Sequence, residues 1–341
     1  MSRALATVAE IAGFRPIDGA DRIQLAQLVD RAWEVIVTKD YAVGQRGVYF
    51  EPDAFLPEQP QYEMLRARCF RECQGKRGFR LRTIKLRGVY SQGLFLPLDA
   101  LPVELPAAAA LELGRDVTQL LGVEQWPEEE GGGGGESRRT FPSFVPRSNQ
   151  PRVENLGKRY AELQALGDYL WTEKLDGSSF TAYVRGGEFG YCSRNFLLSA
   201  GEAPPTAAKE SAYAAVVRRY ELEAKLRALG RDVALQGEVI GPRLQGNRYK
   251  RTDSELYVFV LWDIAAQRRL PLAALRELGL DLLTVPIVEQ RPLPSIAELR
   301  AAADGASQLH RAALREGLVL YCAADPMQSF KVISRQFLAK Q

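Results

Sequence analysis

Residues 127 to 140 read PEEEGGGGGESRRT. Five consecutive glycines among acids sustain neither helix nor strand, because glycine loses the most backbone freedom on ordering and brings no side chain to pack. The stretch is expected to be a flexible linker. It divides the 341 residues into 1–126 and 141–341, each long enough for its own core. With 46% hydrophobic and 26% charged residues, both parts have the balance of folded rather than disordered chain. No run of about 18 apolar residues occurs, so no membrane-spanning helix is expected. The start, MSRALATVAEIAGF, lacks a charged segment followed by an unbroken apolar one, so no signal peptide is expected either; sparse cysteine usage adds the expectation of a reducing cytoplasm. The four cysteines, at 69, 73, 192 and 322, fit no disulfide framework, and Cys69 with Cys73 has no second pair to complete a zinc site. His310 is the one histidine, which leaves catalysis to Lys, Asp, Glu or a bound metal.

The first part reads as short strands separated by turns: 24–40 with a turn at Asp30-Arg31, then 47–52, 78–88 and 91–98. In 78–88, Phe79 and Leu81 share one parity, and the pattern slips near Thr83. A single strand with a bulge, apolar on one face and basic on the other, is expected. This spacing suggests a small all-β Greek-key barrel of the OB type. Between Arg66 and Arg87 stand nine basic residues against one acid, Glu72. Such a block is the footprint of a polyanion-binding surface, with Arg77, Arg80, Arg82, Lys85 and Arg87 as candidate nucleic-acid contacts. A solvated face of a sheet has the same composition, and both readings stand here.

The second part mixes types. A strand over 169–177, a hairpin over 178–195 turning at Gly186-Gly187, a long helix over 207–230, strands at 233–241 and 256–264, helices at 271–278 and 295–303, and a pair 317–322 with 328–334 make an α+β domain with antiparallel sheets.

Chemistry concentrates at the end of the first of these strands, in Glu173-Lys174-Leu175-Asp176-Gly177. Alone this is a short match. In order after it come Ser193-Arg194, Gly237-Glu238, Tyr257-Val258-Phe259, Glu316-Gly317-Leu318-Val319 and Lys331. Together the six elements resemble the covalent lysine nucleotidyltransferases, which include ATP-dependent DNA ligases, RNA ligases and mRNA capping enzymes. The resemblance covers roughly 143–335. It implies Lys174 as the nucleophile that takes AMP from ATP, and Phe259 as the aromatic stacked on the base. It implies Arg194 and Lys331 as phosphate-binding cations, with Arg335 or Lys250 as the substitute for a second lysine missing from the last motif, and Glu173 as an adenine contact. A lysine is nucleophilic only when neutral, so its ordinary pKa of ~10.4 must fall. Asp176, Glu238 and Glu316 would oppose that fall. Mg²⁺ or Mn²⁺ among them, held through water, removes the opposition and places positive charge at the α-phosphate.

DNA ligases and capping enzymes carry an OB domain after the catalytic one, but only ten residues follow Lys331. The arrangement instead resembles RNA ligase family 5, with an OB domain at 1–126 ahead of a nucleotidyltransferase domain at 141–341. Gly241–Lys250 and 329–334 are also similar to stretches of RNA ligases. The last motif departs from Lys-x-Lys, since Ser329 and Ile333 flank Lys331 at the spacing where a second lysine is usual. The resemblance implies a ligase that joins 3′-OH and 5′-phosphate ends of RNA, in nicked duplexes, in RNA repair, and acting as a monomer. A capping-type guanylyltransferase and an inactive RNA-binding protein remain as alternatives. The identity of the covalent adduct separates them: AMP, GMP or none.

Overall fold

A computed structural model describes residues 3–73, 75–103, 105–106, 112–126, 137–199 and 210–340. Most of the expected linker lies outside these residues. Its last four, Ser137–Thr140, form a strand rather than linker. The chain divides into two compact units. The first holds the N-terminal residues to 126 with Val153–Tyr160 and the residues from Leu338 onward; the second holds the chain from Ser137 to Arg152 and Ala161–Phe337.

The first unit is built of β1 (Ala6–Pro16), β2 (Ile23–Leu28), β3 (Glu34–Thr38), β4 (Arg46–Phe50), β5 (Ala54–Pro57), β6 (Phe70–Cys73), β7 (Lys76–Arg80), β8 (Thr83–Leu86), β9 (Val89–Gln92), β10 (Leu94–Pro97) and β11 (Glu124–Gln125). One sheet runs β10-β4-β1-β2-β3, a second β11-β5-β7-β6, and β8 pairs with β9. β9 lies against β3, where the Ile36 N–H donates to Ser91 Oγ at 2.9 Å. β4 is buried on both faces. Val48 and Phe50 pack with Leu5, Tyr62 and Phe79, while Tyr49 packs with Ile11, Trp33 and Phe95. The all-β barrel expected of this part is what forms. The expected bulged strand over 78–88 is instead two strands in different sheets. Between them Leu81 is buried and pairs its backbone with the start of β5 and the residue before it, donating to Ala54 O and accepting from the Asp53 N–H, both at 2.9 Å. A bulge keeps one ladder, whereas here the chain leaves one sheet for another. The 91–98 segment likewise breaks at Gly93, whose φ of 84° few other residues adopt and where a Cβ would stand 2.1 Å from Phe50 O.

Val153–Tyr160 is fixed to this unit by polar contacts with buried partners. Trp33 Nε1 donates to Asn155 Oδ1 at 2.6 Å, and Asn155 Nδ2 donates to Glu51 Oε1 at 2.8 Å. Arg3 neutralises the buried Glu51 at 2.6 Å.

In the second unit the strands are β12 (Ser137–Thr140), β13 (Asp168–Lys174), β14 (Ser178–Arg185), β15 (Glu188–Cys192), β16 (Phe196–Ser199), β17 (Val233–Ile240), β18 (Glu255–Asp263), β19 (Arg268–Leu270), β20 (Ile287–Pro292), β21 (Gly317–Cys322) and β22 (Ser329–Ile333). They form an antiparallel seven-stranded sheet, β12-β16-β15-β14-β17-β18-β19, and an antiparallel four-stranded one, β20-β13-β21-β22. One face of the larger sheet packs Phe180, Leu235 and Val258 against Val216, Leu222, Leu226 and Leu275 from helices. Its other face packs Tyr183, Ala234 and Trp262 against Val319 and Tyr321 of β21. Side chains of this size are worth ~1.5–3 kcal/mol each when fully buried. The helix expected over 207–230 is two in its described part, Ala212–Arg219 and Leu222–Ala228, broken by Glu221 at φ 51°; residues 207–209 lie outside the described residues. At about 100° per residue, one straight helix would turn Leu222 off the face that carries Val216. The break lets both reach the sheet.

Candidate active site

Lys174 is the last residue of β13, an interior strand of the smaller sheet. Leu175-Asp176-Gly177 then crosses to the larger sheet, where β14 begins at Ser178. The crossing is short because its residues are held on both sides. Leu175 is buried with Ile240, Tyr249, Tyr257 and Val285. Gly177 touches β17 so closely that a Cβ would stand 2.3 Å from Val239 O. Its N–H donates to Glu238 Oε1 at 3.0 Å. The Asp176 N–H donates to Tyr249 Oη at 2.7 Å, and Asp176 Oδ2 accepts from Arg248 Nε at 2.8 Å.

Glu316 immediately precedes β21. The register sets Gly317 opposite Lys174, and a Cβ at Gly317 would stand 2.1 Å from Val332 O on β22. Glycine at 317 therefore lets the two strands close, and Glu316 Oε1 comes to 2.7 Å from Lys174 Nζ. Lys331 stands on β22 opposite Val319, and its backbone N–H donates to Pro151 O at 2.9 Å.

These groups control one another's charge. Burial by itself would lower the pKa of Lys174, but Glu316, Glu238 and Asp176 outweigh it and hold the ammonium above the ordinary lysine value. Burial pushes the Glu238 carboxyl up to about 8, against the pull of Lys174 and with the help of Glu316 and Asp176. Burial also raises Glu316, with Lys174 drawing it back and Asp176 adding to the rise, and it raises Asp176 in spite of Arg248. Three partly desolvated carboxylates around one cation make a site that gains from a second cation. Among the described residues no three His, Cys, Asp or Glu side chains converge to ligate an ion directly. Carboxylate oxygens are the donors that a hard divalent cation such as Mg²⁺ or Mn²⁺ takes, so the donor set fits one.

The remaining candidates are placed as follows. Glu173 is buried, and its Oε2 accepts from the Gln308 N–H at 2.8 Å. Burial raises its carboxyl above the ordinary value, while the Ser307 hydroxyl and the Gln308 N–H draw it back. Phe259 sits at a β-bulge, since Gln236 pairs with Val260 and Gly237 with Val258. The extra residue re-aims the side chain, which is half-buried where the Leu175 cluster meets the Val319 cluster. Alternation alone does not distinguish Phe259 from Tyr257 and Val258. Arg194 is half-buried in the turn between β15 and β16. Lys250 is exposed at φ 54°, while its neighbours Arg248 and Tyr249 take the contacts to Asp176. Those two neighbours escape sequence reasoning. The signal lies within Gly241–Lys250, where Arg248 and Tyr249 stand directly before the lysine taken as a candidate cation.

In the first unit the fold brings acids to the basic block that the linear count did not include. Arg66 pairs with Glu58 and Glu63, Arg77 with Glu58, Lys76 with Glu124 and Arg80 with Asp53. Arg66 and Arg77 also lie on the Phe70 ring and Arg80 on Trp126. Lys85 and Arg87 are exposed, and Arg82 is half-buried.

Residues 5–98 match a family model described as an OB-fold domain, and residues 167–333 match the RNA ligase family model. Among curated proteins no match is found. Among solved structures, an RNA ligase of Naegleria gruberi is similar over the whole length. A variant of it with AMP and Mn is 35% identical with a TM-score of 0.88, covering 99% of this chain and 99% of that one. A variant with ATP and Mn is 36% identical with a TM-score of 0.87 and the same coverage. A third structure, with pyrophosphate, is 35% identical with a TM-score of 0.86, covering 100% of this chain and 99% of that one.

Proposed function

The chain belongs to the ATP-dependent RNA ligases that carry an OB domain ahead of the nucleotidyltransferase domain, and from that premise we propose how its own residues carry the reaction. Lys174 is the nucleophile. Once deprotonated, its Nζ attacks the α-phosphorus of ATP, a P–N bond forms, and the P–O bond to pyrophosphate breaks. AMP then passes to the 5′-phosphate of a polynucleotide and frees Lys174. A 3′-OH attacks that activated phosphate, joins the ends and expels AMP. Asp176, Glu238 and Glu316 hold the hydrated divalent cation that the family uses. When bound, it supplies positive charge beside the α-phosphate and offsets the carboxylate field that keeps Lys174 protonated. Phe259 and Glu173 fit the face and edge of a purine base. Arg194, Lys331 and Lys250 serve the phosphates. The preferred substrate is a nicked duplex, contacted mainly through its phosphates by Arg77, Arg80, Arg82, Lys85 and Arg87 of the OB domain. RNA repair in the cytoplasm by a monomer is the setting in which that activity belongs. Among the described residues no helix is long and apolar enough to cross a membrane.

The observation that carries this reading is the contact of Lys174 with Glu316 at 2.7 Å, at the end of a strand and two residues before Asp176. The test is incubation with α-³²P-ATP and Mn²⁺, followed by sealing assays on nicked duplexes with RNA or DNA on each side of the break. A covalent AMP adduct on Lys174, lost in Lys174→Ala, is expected. Retention of label in that variant, or sealing of single strands in preference to nicks, would sink the corresponding part.

A further inference from the structure

Leu175-Asp176-Gly177 belongs to no ladder. The strands on either side fix its ends, but its middle is positioned by side chains, two of which come from one loop: Tyr249 and Arg248. That loop is itself braced. Asn247 Oδ1 accepts from the Arg251 N–H and its Nδ2 donates to Arg251 O, both at 2.9 Å. Arg248 makes a second contact. Its guanidinium lies over the ring of Phe337, 4.5 Å from the centroid, while its Nε donates to Asp176. A planar guanidinium can stack on a ring and donate in its own plane at once, and an ammonium cannot.

Phe337 is 2% exposed and stands on the short helix Arg335–Leu338. Its N–H donates to Ser334 Oγ at 3.1 Å, and that hydroxyl donates to Asp304 Oδ1 at 2.6 Å. The Ser334 N–H in turn donates to Glu316 O at 2.9 Å. The contacts therefore close a circuit. From Lys174 it runs to Glu316, through Ser334 to Phe337, across the ring to Arg248, and back through Asp176 to the nucleophile's own loop.

We propose that Arg248 is a positioning residue for the nucleophile, held by Phe337, so that the short helix carrying Phe337 sets the distance between the Lys174–Gly177 crossing and the Glu316 strand. The inference rests on the reading that Lys174 accepts AMP. Neither Arg248 nor Phe337 needs to touch ATP. Their effect is on where Asp176 and Lys174 stand when ATP and metal arrive.

The experiment is single-turnover formation of the labelled adduct from α-³²P-ATP at saturating MnCl₂. It uses the full chain for the unsubstituted protein, Arg248→Ala, Arg248→Lys, Phe337→Leu and the Arg248→Ala/Phe337→Leu double variant, with thermal unfolding of each. A misplacement of about 1 Å at a reacting centre slows chemistry by ~10². Arg248→Ala is expected to lower the maximal rate by about 10- to 10²-fold while KM for ATP stays near its original value. Arg248→Lys keeps the charge but not the fork or the stack, so it falls as well. Phe337→Leu keeps apolar bulk without the ring and falls by a smaller factor. The double variant is no slower than Arg248→Ala, because Phe337 acts through Arg248. An original maximal rate in Arg248→Ala, or two effects that multiply, overturns the proposal. Should Arg248→Ala fail to fold, Arg248→Lys decides: an original rate there overturns it too. Absence of adduct in the unsubstituted protein would remove the Lys174 reading beneath the proposal, whereas adduct formed equally by all variants removes the proposal alone.

Discussion

Lys174 Nζ and Glu316 Oε1 stand 2.7 Å apart because adjacent strands place Gly317 opposite Lys174. The contact favours the protonated form of Lys174, the nucleophile proposed above. Against the tendency of burial to deprotonate it, Glu316, Glu238 and Asp176 raise its pKa. Activation therefore has to come from whatever neutralises those carboxylates.

That argument predicts the reactivity of Lys174 without ATP. Cyanate modifies only neutral amines, so modification of Lys174, followed by peptide mapping at pH 8, reports its deprotonated fraction. Glu316→Gln should speed modification, and so should Mn²⁺ added to the unsubstituted protein. Equal rates in all three samples would show that the carboxylate field does not govern the lysine.

Glu238 carries a pH dependence of stability. Its carboxyl is raised from 4.5 to about 8 in the fold. Between those values the folded chain binds more protons than the unfolded one, so this contribution is full below about 4.5 and lost as pH rises through about 8. The metal-free protein should unfold at a lower temperature at pH 8.5 than at pH 6, and Glu238→Gln should flatten that difference. Mn²⁺ favours the ionised carboxyl and should restore stability at the higher pH. A thermal midpoint that rises with pH in metal-free buffer would contradict the assignment.

Gly177→Ala should be far worse than its size suggests. The new Cβ would meet Val239 O at 2.3 Å, and backbone cannot yield as a flexible side chain can. The crossing must shift, which moves Lys174 and Asp176 together. Adduct formation is expected to drop by ~10² or more. Near-original rates would mean that the close approach is not needed.

Basic residues of the OB domain should differ in their effect on salt dependence. Arg77 already meets Glu58 at 3.2 Å, while Lys85 and Arg87 are exposed. Binding to a nicked duplex measured against salt should flatten by about 0.9 in log–log slope for each phosphate that the protein no longer neutralises. The Lys85→Ala/Arg87→Ala pair should flatten it clearly and Arg77→Ala little. Equal flattening would mean that the ion pair with Glu58 opens on binding.

The residues proposed for the chemistry were legible because their signals are local. A lysine at the end of an apolar strand, followed by Asp and Gly, needs only short-range sequence to be seen, and so do Glu238 and Glu316 beside β-branched and leucine-rich strands. The barrel was legible as a series of short alternating segments. What only tertiary structure decided depends on which strands become neighbours. Long-range pairing, not local pattern, sends 78–88 into two sheets, and the break at Glu221 lets Val216 and Leu222 both pack on the larger sheet. Pairing also bulges β18 at Phe259, and it brings Glu58, Glu124 and Asp53 to cations that looked unopposed along the chain. Arg248 stands 72 positions after Asp176 and Phe337 a further 89 after Arg248. No periodicity links residues so far apart. Their meeting follows from the folding of two sheets onto one another, which is a property of the whole domain and not of any segment.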